Sequence, residues 1–313
     1  MKGQKILPVA AVCLAVSMAP AQARFLRDAA VTSASALAPT QVLVLGKDGR
    51  VGPEEFASAH KLEIDRLRQS HAASGLIQCG RAHGAGQLTL ANDVVTTAAH
   101  VFFDERGSHR AKTCHFITDI GGKRQKIAID MSSIVAGAAR PYSVKAVNDW
   151  AVARLTRPLD EITPYELAED VAVEQPVDFV ARGHSDWADA HRMSFESCRL
   201  RAQTNQIKGG SREFAFDCAT ADGASGGAVL RDADTPRLCA ILVGWRSNDP
   251  SKISPFSTTN YNFVVSVEGA FRQALLYAAK RGGAPQDAPA TAGRGQGEKA
   301  SNIGPSRRSA GRS

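Results

Sequence analysis

The chain carries no Cys-x-x-Cys pair and no cluster of histidine with cysteine at ligand spacing, so nothing in it spells a zinc site. Beyond the N-terminus, no apolar run is long and unbroken enough to span a bilayer. No internal repeat is visible. Charge of one sign is scarce as well. The formal net charge is +7, but Lys2 and Lys5 supply two of these charges and residues 281–313 a net four, which leaves +1 for residues 24–280. A nearly neutral body gives no electrostatic footprint for a nucleic-acid partner. No metal or cofactor is expected.

What is present begins with an export signal. Lys2 and Lys5 form a positive end, Ile6 to Met18 an apolar stretch, and Ala21-Gln22-Ala23 a small-residue cleavage site after Pro20. Residues 1–23 therefore read as a signal peptide, with a membrane anchor as the other reading; no membrane association is expected once the signal is cleaved. Export places the mature chain outside the cytoplasm, secreted or periplasmic. Five cysteines remain there (79, 114, 198, 218 and 239), and an odd number leaves one unpaired.

Residues 24–74 form a pre-segment or propeptide, with a short helix over Phe56 to Arg68 behind the turn at Gly52-Pro53. Lys47 to Phe56 echoes half of a calcium loop. Val44 and Gly46 stand where its first oxygen ligands belong, so a capped surface helix is the simpler reading. From Ser74 onward the texture changes to short apolar runs between Gly, Asn, Asp and Pro. Val94 to Thr97, Trp150 to Leu155, Val177 to Ala181, Leu238 to Trp245 and Asn262 to Val265 are among them. Such runs predict an all-β barrel or sandwich. Val267, Phe271, Ala274, Leu275 and Ala278 then recur at helical spacing, with Ser266 as the expected N-cap. Residues 281–313, rich in Gly, Pro, Ala and Arg, cannot bury enough surface to fold and are expected to be disordered.

Three segments carry chemistry. Thr97-Ala98-Ala99-His100 ends a β-branched strand in small residues and an imidazole. Asp149 opens the apolar strand Trp150 to Leu155 and, partly buried there, needs hydrogen-bonding partners. Asp222-Gly223-Ala224-Ser225-Gly226-Gly227 sets a serine among glycines, whose backbone freedom lets consecutive N–H groups converge on one point. A serine hydroxyl is a poor nucleophile without a base, and the base needs an orienting carboxylate. Gly223 to Gly227 also satisfies Gly-x-Ser-x-Gly, but that α/β-hydrolase motif needs a histidine after the serine. All eight histidines precede Ser225.

These motifs resemble those of the trypsin-like serine peptidases, over roughly residues 75–280. Within that family the chain is similar to the bacterial glutamyl-endopeptidase-like branch, with 49 residues from His100 to Asp149 and 76 from there to Ser225. The resemblance implies two antiparallel six-stranded β-barrels of chymotrypsin-like fold with a C-terminal helix. It implies a secreted serine endopeptidase acting on proteins or peptides through an acyl-enzyme. His100, Asp149 and Ser225 would form its triad, and the N–H groups of Gly223 and Ser225 its oxyanion hole. It also implies disulfides Cys79–Cys114 and Cys198–Cys218, with Cys239 a buried free thiol. A non-catalytic binding protein on this fold, or an esterase using the same triad, are the alternatives.

Two departures from trypsin itself bear on mechanism. Ala224 replaces the aspartate that receives a new N-terminus on zymogen cleavage, and no Ile-Val-Gly-Gly-like N-terminus is present, so activation by that salt bridge is not expected. Ala219 replaces the acidic pocket base, so a preference for Lys or Arg is not expected. By the same resemblance Gly244 to Ser247 form the strand that receives the substrate backbone, with Arg246 near the position that reads an acidic side chain and Thr220 as its helper. Arg246 either reads an acidic side chain through a bidentate contact or points to solvent.

Overall fold

The computed structural model describes residues 42–232, 234–250 and 252–281. The signal peptide expected over residues 1–23, residues 24–41 and the tail from 282 lie outside the described residues. Among the described residues no helix is long and apolar enough to cross a membrane.

The N-terminal segment contributes β1 (Val42–Leu43), α1 (Pro53–His60) and α2 (Ile64–Ser70). Two helices stand where one was expected. Lys61 takes a left-handed conformation (φ 56°) that ends α1. Glu63 then starts α2, its carboxylate accepting from the N–H groups of Asp65 and Arg66. Phe56 and Leu67 are the buried anchors, and Phe56 stacks on Phe195 at 4.9 Å.

β2 (Ser74–Cys79), β3 (Ala82–Leu88), β4 (Val94–Thr97), β5 (Cys114–Ile120), β6 (Lys123–Ala136) and β7 (Ala151–Leu155) close into one antiparallel barrel in the order β2-β3-β4-β7-β6-β5. Gly121 and Gly122, with φ of 54° and 75°, make the tight β5–β6 hairpin, where both residues need positive φ. A register shift between Asp130 and Val135 lets the 14-residue β6 bend around the barrel. A short helix, α3 (Ala99–Phe102), follows β4.

The second barrel uses β9 (Pro176–Ala181), β10 (Ser194–Gln206), β11 (Arg212–Phe216), β13 (Ala228–Arg231), β14 (Arg237–Arg246) and β15 (Tyr261–Ser266). They run in the order β13-β9-β10-β11-β15-β14, and β13 pairs with β14 to close the ring. β8 (Glu166–Leu167) adds a parallel edge to β14, and β12 (Thr220–Ala221) pairs with β1. Phe179, Leu200, Phe214, Phe216, Val229, Leu242 and Val264 fill this barrel. Each such side chain contributes roughly 1.5–3 kcal/mol on burial.

The chain closes with α4 (Gly269–Lys280), which packs Phe271 and Leu275 into the core. Ser266 is not its N-cap. That residue is still in the β15 ladder opposite Ala240, and its hydroxyl donates to the Glu268 carboxylate at 2.6 Å. The helix starts two residues later, with Glu268 at the N-cap. Phe271 stacks on Trp150 at 4.9 Å, so α4 buttresses the start of β7.

Cys79 is bonded to Cys114 and Cys198 to Cys218. These bridges span 35 and 20 residues, which corresponds to about 3–4 kcal/mol each in the chain-entropy treatment. The double variant Cys198→Ala/Cys218→Ala is expected to lose about 3 kcal/mol of stability, read as a lower urea midpoint with a somewhat steeper slope, because the unfolded chain loses a cross-link. A midpoint within error of wild type would show that this bridge does not constrain the unfolded chain. Cys239 is free and buried; its thiol donates to the Val229 carbonyl at 3.2 Å. Burial pushes it up to about 12, so it stays an unreactive thiol.

Candidate active site

β4 delivers His100 at the start of α3, and β7 begins just after Asp149. β4 and β7 pair directly, Thr97 opposite Ala151, which brings the two side chains together. The Asp149 carboxylate accepts twice from His100. One oxygen accepts the ring Nδ1–H at 2.7 Å, the other the backbone N–H at 2.9 Å. Both the ring and its main chain are therefore held by one carboxylate. Asp149 is 7% exposed, so the pair is shielded from water. Arg110 fixes the other side, donating from Nε to the His100 carbonyl at 2.8 Å and from Nη2 to the Tyr142 hydroxyl at 2.9 Å.

Ser225 belongs to the second barrel but is tied to the first. Its carbonyl accepts from the Ala85 N–H of β3 at 2.7 Å. Gly226, at φ 86°, lies so close that an added Cβ would sit 2.2 Å from the Thr97 hydroxyl and 2.3 Å from the Ala85 carbonyl. Only glycine permits this approach of the serine loop to the strand leading to His100. His100, Asp149 and Ser225 consequently line one cleft of about 980 Å³ between the barrels.

The loop before the serine is equally defined. The Asp222 carbonyl accepts from the Ser185 N–H at 2.9 Å and from the Ser185 hydroxyl at 2.7 Å. The Ala224 N–H is taken by the Ala221 carbonyl, and that of Gly226 by Leu242. Among the described residues, the N–H groups of Gly223 and Ser225 find no protein acceptor. Two free donors flanking a bonded one can serve an oxygen carrying negative charge.

Thr220, Arg246 and Ser247 line the same cleft, together with Lys145, Asp222, Trp245 and Phe263. Ala219 does not. It is fully buried, and its N–H donates to the Glu196 carboxylate at 2.8 Å. Arg246 neither points freely to solvent nor stands alone. It forms a two-point ion pair with Glu213, Nη1 to Oε1 at 2.8 Å and Nη2 to Oε2 at 3.2 Å, and lies 4.1 Å over the Phe263 ring. Glu213 is only 1% exposed and also accepts from the Thr204 hydroxyl at 2.6 Å. Sequence reasoning missed Glu213, Phe263, Tyr142 and Arg110, because each is ordinary in its own segment. Among the described residues no group of three His, Cys, Asp or Glu could hold a metal ion.

Two closed six-stranded antiparallel barrels, with histidine, aspartate and serine facing one cleft, define the chymotrypsin-like class. Residues 83–241 match the family model described as a trypsin-like peptidase domain. That match spans half the chain, and the protein belongs to this trypsin-like peptidase family. A solved glutamyl endopeptidase in complex with MPD is similar in structure at a TM-score of 0.58, covering 76% of this chain and 100% of that one at 13% identity. A thermostable serine protease, AL20, from an extremophilic microorganism matches at a TM-score of 0.49, covering 68% of this chain and 99% of that one at 15% identity. The protease Anisep from Arthrobacter nicotinovorans matches at 0.45, covering 66% of this chain and 95% of that one at 16% identity. By sequence, no curated protein matches the chain.

Proposed function

We propose that the protein is an exported serine endopeptidase whose nucleophile is Ser225, with His100 as general base and Asp149 as its orienting carboxylate. One observation carries the reading: the two-point hold of Asp149 on His100 within the cleft that Ser225 also lines. In this mechanism the Ser225 hydroxyl attacks the peptide carbonyl while His100 takes its proton. The resulting imidazolium passes that proton to the leaving amine, and an acyl-enzyme remains. Water then attacks the acyl-enzyme, His100 again serving as base. The N–H groups of Gly223 and Ser225 receive the oxyanion. Two disulfides support an oxidising compartment, secreted or periplasmic.

The test is incubation of the purified mature chain with a denatured protein, sequencing of the fragments by mass spectrometry, and labelling with a fluorophosphonate. Internal cleavage together with labelling at Ser225 is the expected result. Hydrolysis of a chromogenic ester with no peptide cleavage would mark an esterase instead. The absence of both cleavage and label would mark a binding protein.

The side chain preceding the cleaved bond enters beside Thr220 and Arg246. Because Glu213 occupies Arg246 at two points, the arginine reaches the cleft with its charge already compensated. Wild type is therefore expected to discriminate only weakly between Glu and Gln at that position. Glu213→Gln leaves the guanidinium uncompensated. It is expected to raise the Glu-over-Gln ratio of kcat/KM roughly tenfold, about 1.4 kcal/mol. An unchanged ratio in matched peptides would remove Arg246 from substrate recognition.

A further inference from the structure

The trypsin device for ordering the oxyanion loop is missing here, since Ala224 stands in place of the receiving aspartate. We propose that Arg50 of the N-terminal segment replaces it, as a positioning residue that clamps the 183–186 loop so that Ser185 holds the Asp222–Gly223 peptide with its N–H facing the cleft. This rests on the reading of the site as a serine peptidase.

The chain of contacts starts at the peptide itself. In a planar trans peptide the C=O and N–H point in opposite directions. Two donors from Ser185 on the Asp222 carbonyl therefore turn the Gly223 N–H away from that loop. The two loops also meet at backbone distance. Gly183 has φ 95° and Gly223 φ 88°; a Cβ added to Gly183 would lie 2.2 Å from the Gly223 carbonyl, and one added to Gly223 would lie 2.0 Å from the Gly183 carbonyl. A loop packed this tightly transmits its own position to its neighbour.

Arg50 determines that position. Its guanidinium donates to both Asp186 oxygens, at 3.0 and 2.7 Å, and to His184 Nδ1 at 3.2 Å. It also donates to both oxygens of Asp48, at 2.9 and 2.7 Å. Ser185 lies between the two residues of the loop that Arg50 grips. Because Arg50 can only donate, His184 Nδ1 must accept, and Nε2–H then donates to the Ser194 hydroxyl at 2.7 Å. His184 is held neutral to match: burial and the neighbouring guanidinium lower it to about 3. The Arg50 side chain is 1% exposed, so its charge has nowhere else to go. Its backbone is anchored next door, where Val51 exchanges two hydrogen bonds with Phe195 of β10, at 3.0 and 2.9 Å. On this reading residues 42–74 belong to the working enzyme and are not shed as a propeptide.

The experiment compares wild type, Arg50→Ala, Ser185→Ala and the double variant on a peptide amide and on a peptide aldehyde, whose hemiacetal places an oxyanion in the hole. Arg50→Ala is expected to lower kcat about 10²-fold, the effect of losing one oxyanion donor, with KM changed less than about threefold. Aldehyde affinity should fall in parallel with kcat. Ser185→Ala retains the backbone donor and is expected to lose about tenfold. Since both act through one peptide, the double variant should be no worse than Arg50→Ala. Wild-type kcat in Arg50→Ala, unchanged aldehyde affinity, or additive losses would each overturn the proposal. Should Arg50→Ala fail to fold, Ser185→Ala decides, because its hydroxyl lies on an exposed residue and wild-type kcat there is equally fatal. An active, labelled wild type with an indifferent Arg50 sinks this inference alone; an inactive, unlabelled wild type sinks the peptidase reading with it.

Discussion

Ser225→Ala is expected to lower kcat for peptide hydrolysis by at least about 10⁴-fold and to abolish fluorophosphonate labelling, with the fold and KM retained. The hydroxyl is small and half-buried, and its removal leaves the carbonyl bond to Ala85 in place. A companion variant tests the geometry. Both Asp149 oxygens accept from N–H donors, one on the His100 ring and one on its backbone. An asparagine offers one oxygen and one NH₂, so it can satisfy only one of them. Turned one way, it forces the wrong tautomer on the imidazole; turned the other, it opposes the backbone N–H. Asp149→Asn should therefore cost about 10⁴-fold in kcat with little change in KM. Activity within tenfold of wild type in either variant would mean that a different base or nucleophile operates.

The second large effect concerns stability and pH. Glu196 is 8% exposed on β10, and burial pushes its carboxyl from an ordinary value near 4.5 up to about 8. The Ala219 N–H and Arg50 oppose this shift, while Asp48 adds to it. The native state thus holds a proton that the unfolded chain releases above about pH 4.5. Stability from this group is present in full below that pH and is lost as pH rises through about 8. The loss should amount to about 4 kcal/mol between pH 5 and 9, with Tm falling across that range. Glu196→Gln keeps an acceptor for the Ala219 N–H and carries no proton to lose. Its Tm should be flatter with pH, and at pH 9 above that of wild type. Parallel Tm curves for the two proteins would show that Glu196 ionises freely in the native state.

Much of the barrel architecture was legible. β4, β7, β9, β14 and β15 are short apolar runs bounded by turn residues, and their cores are buried as their patterns require. β5 and β10 were not legible. β10 extends 13 residues, and its second half, from Arg201 to Gln206, is largely exposed, so no apolar alternation marks it. The helix near Phe56 was legible as a helix but not as two, because the break depends on a left-handed Lys61 that no turn-forming residue announces.

By itself the sequence singled out the residues proposed to do the chemistry and their order along the chain. The histidine, aspartate and serine each sit in a segment whose small or β-branched neighbours shape a local backbone, and local backbone is written locally. Only the tertiary structure decided what those residues meet. Glu213 occupies Arg246 from 33 residues away, and Arg50 grips Asp186 across 136. Such pairs leave no periodicity or spacing behind. They exist because a buried charge, the Glu213 carboxylate in one pair and the Arg50 guanidinium in the other, must find its opposite wherever the fold has placed it.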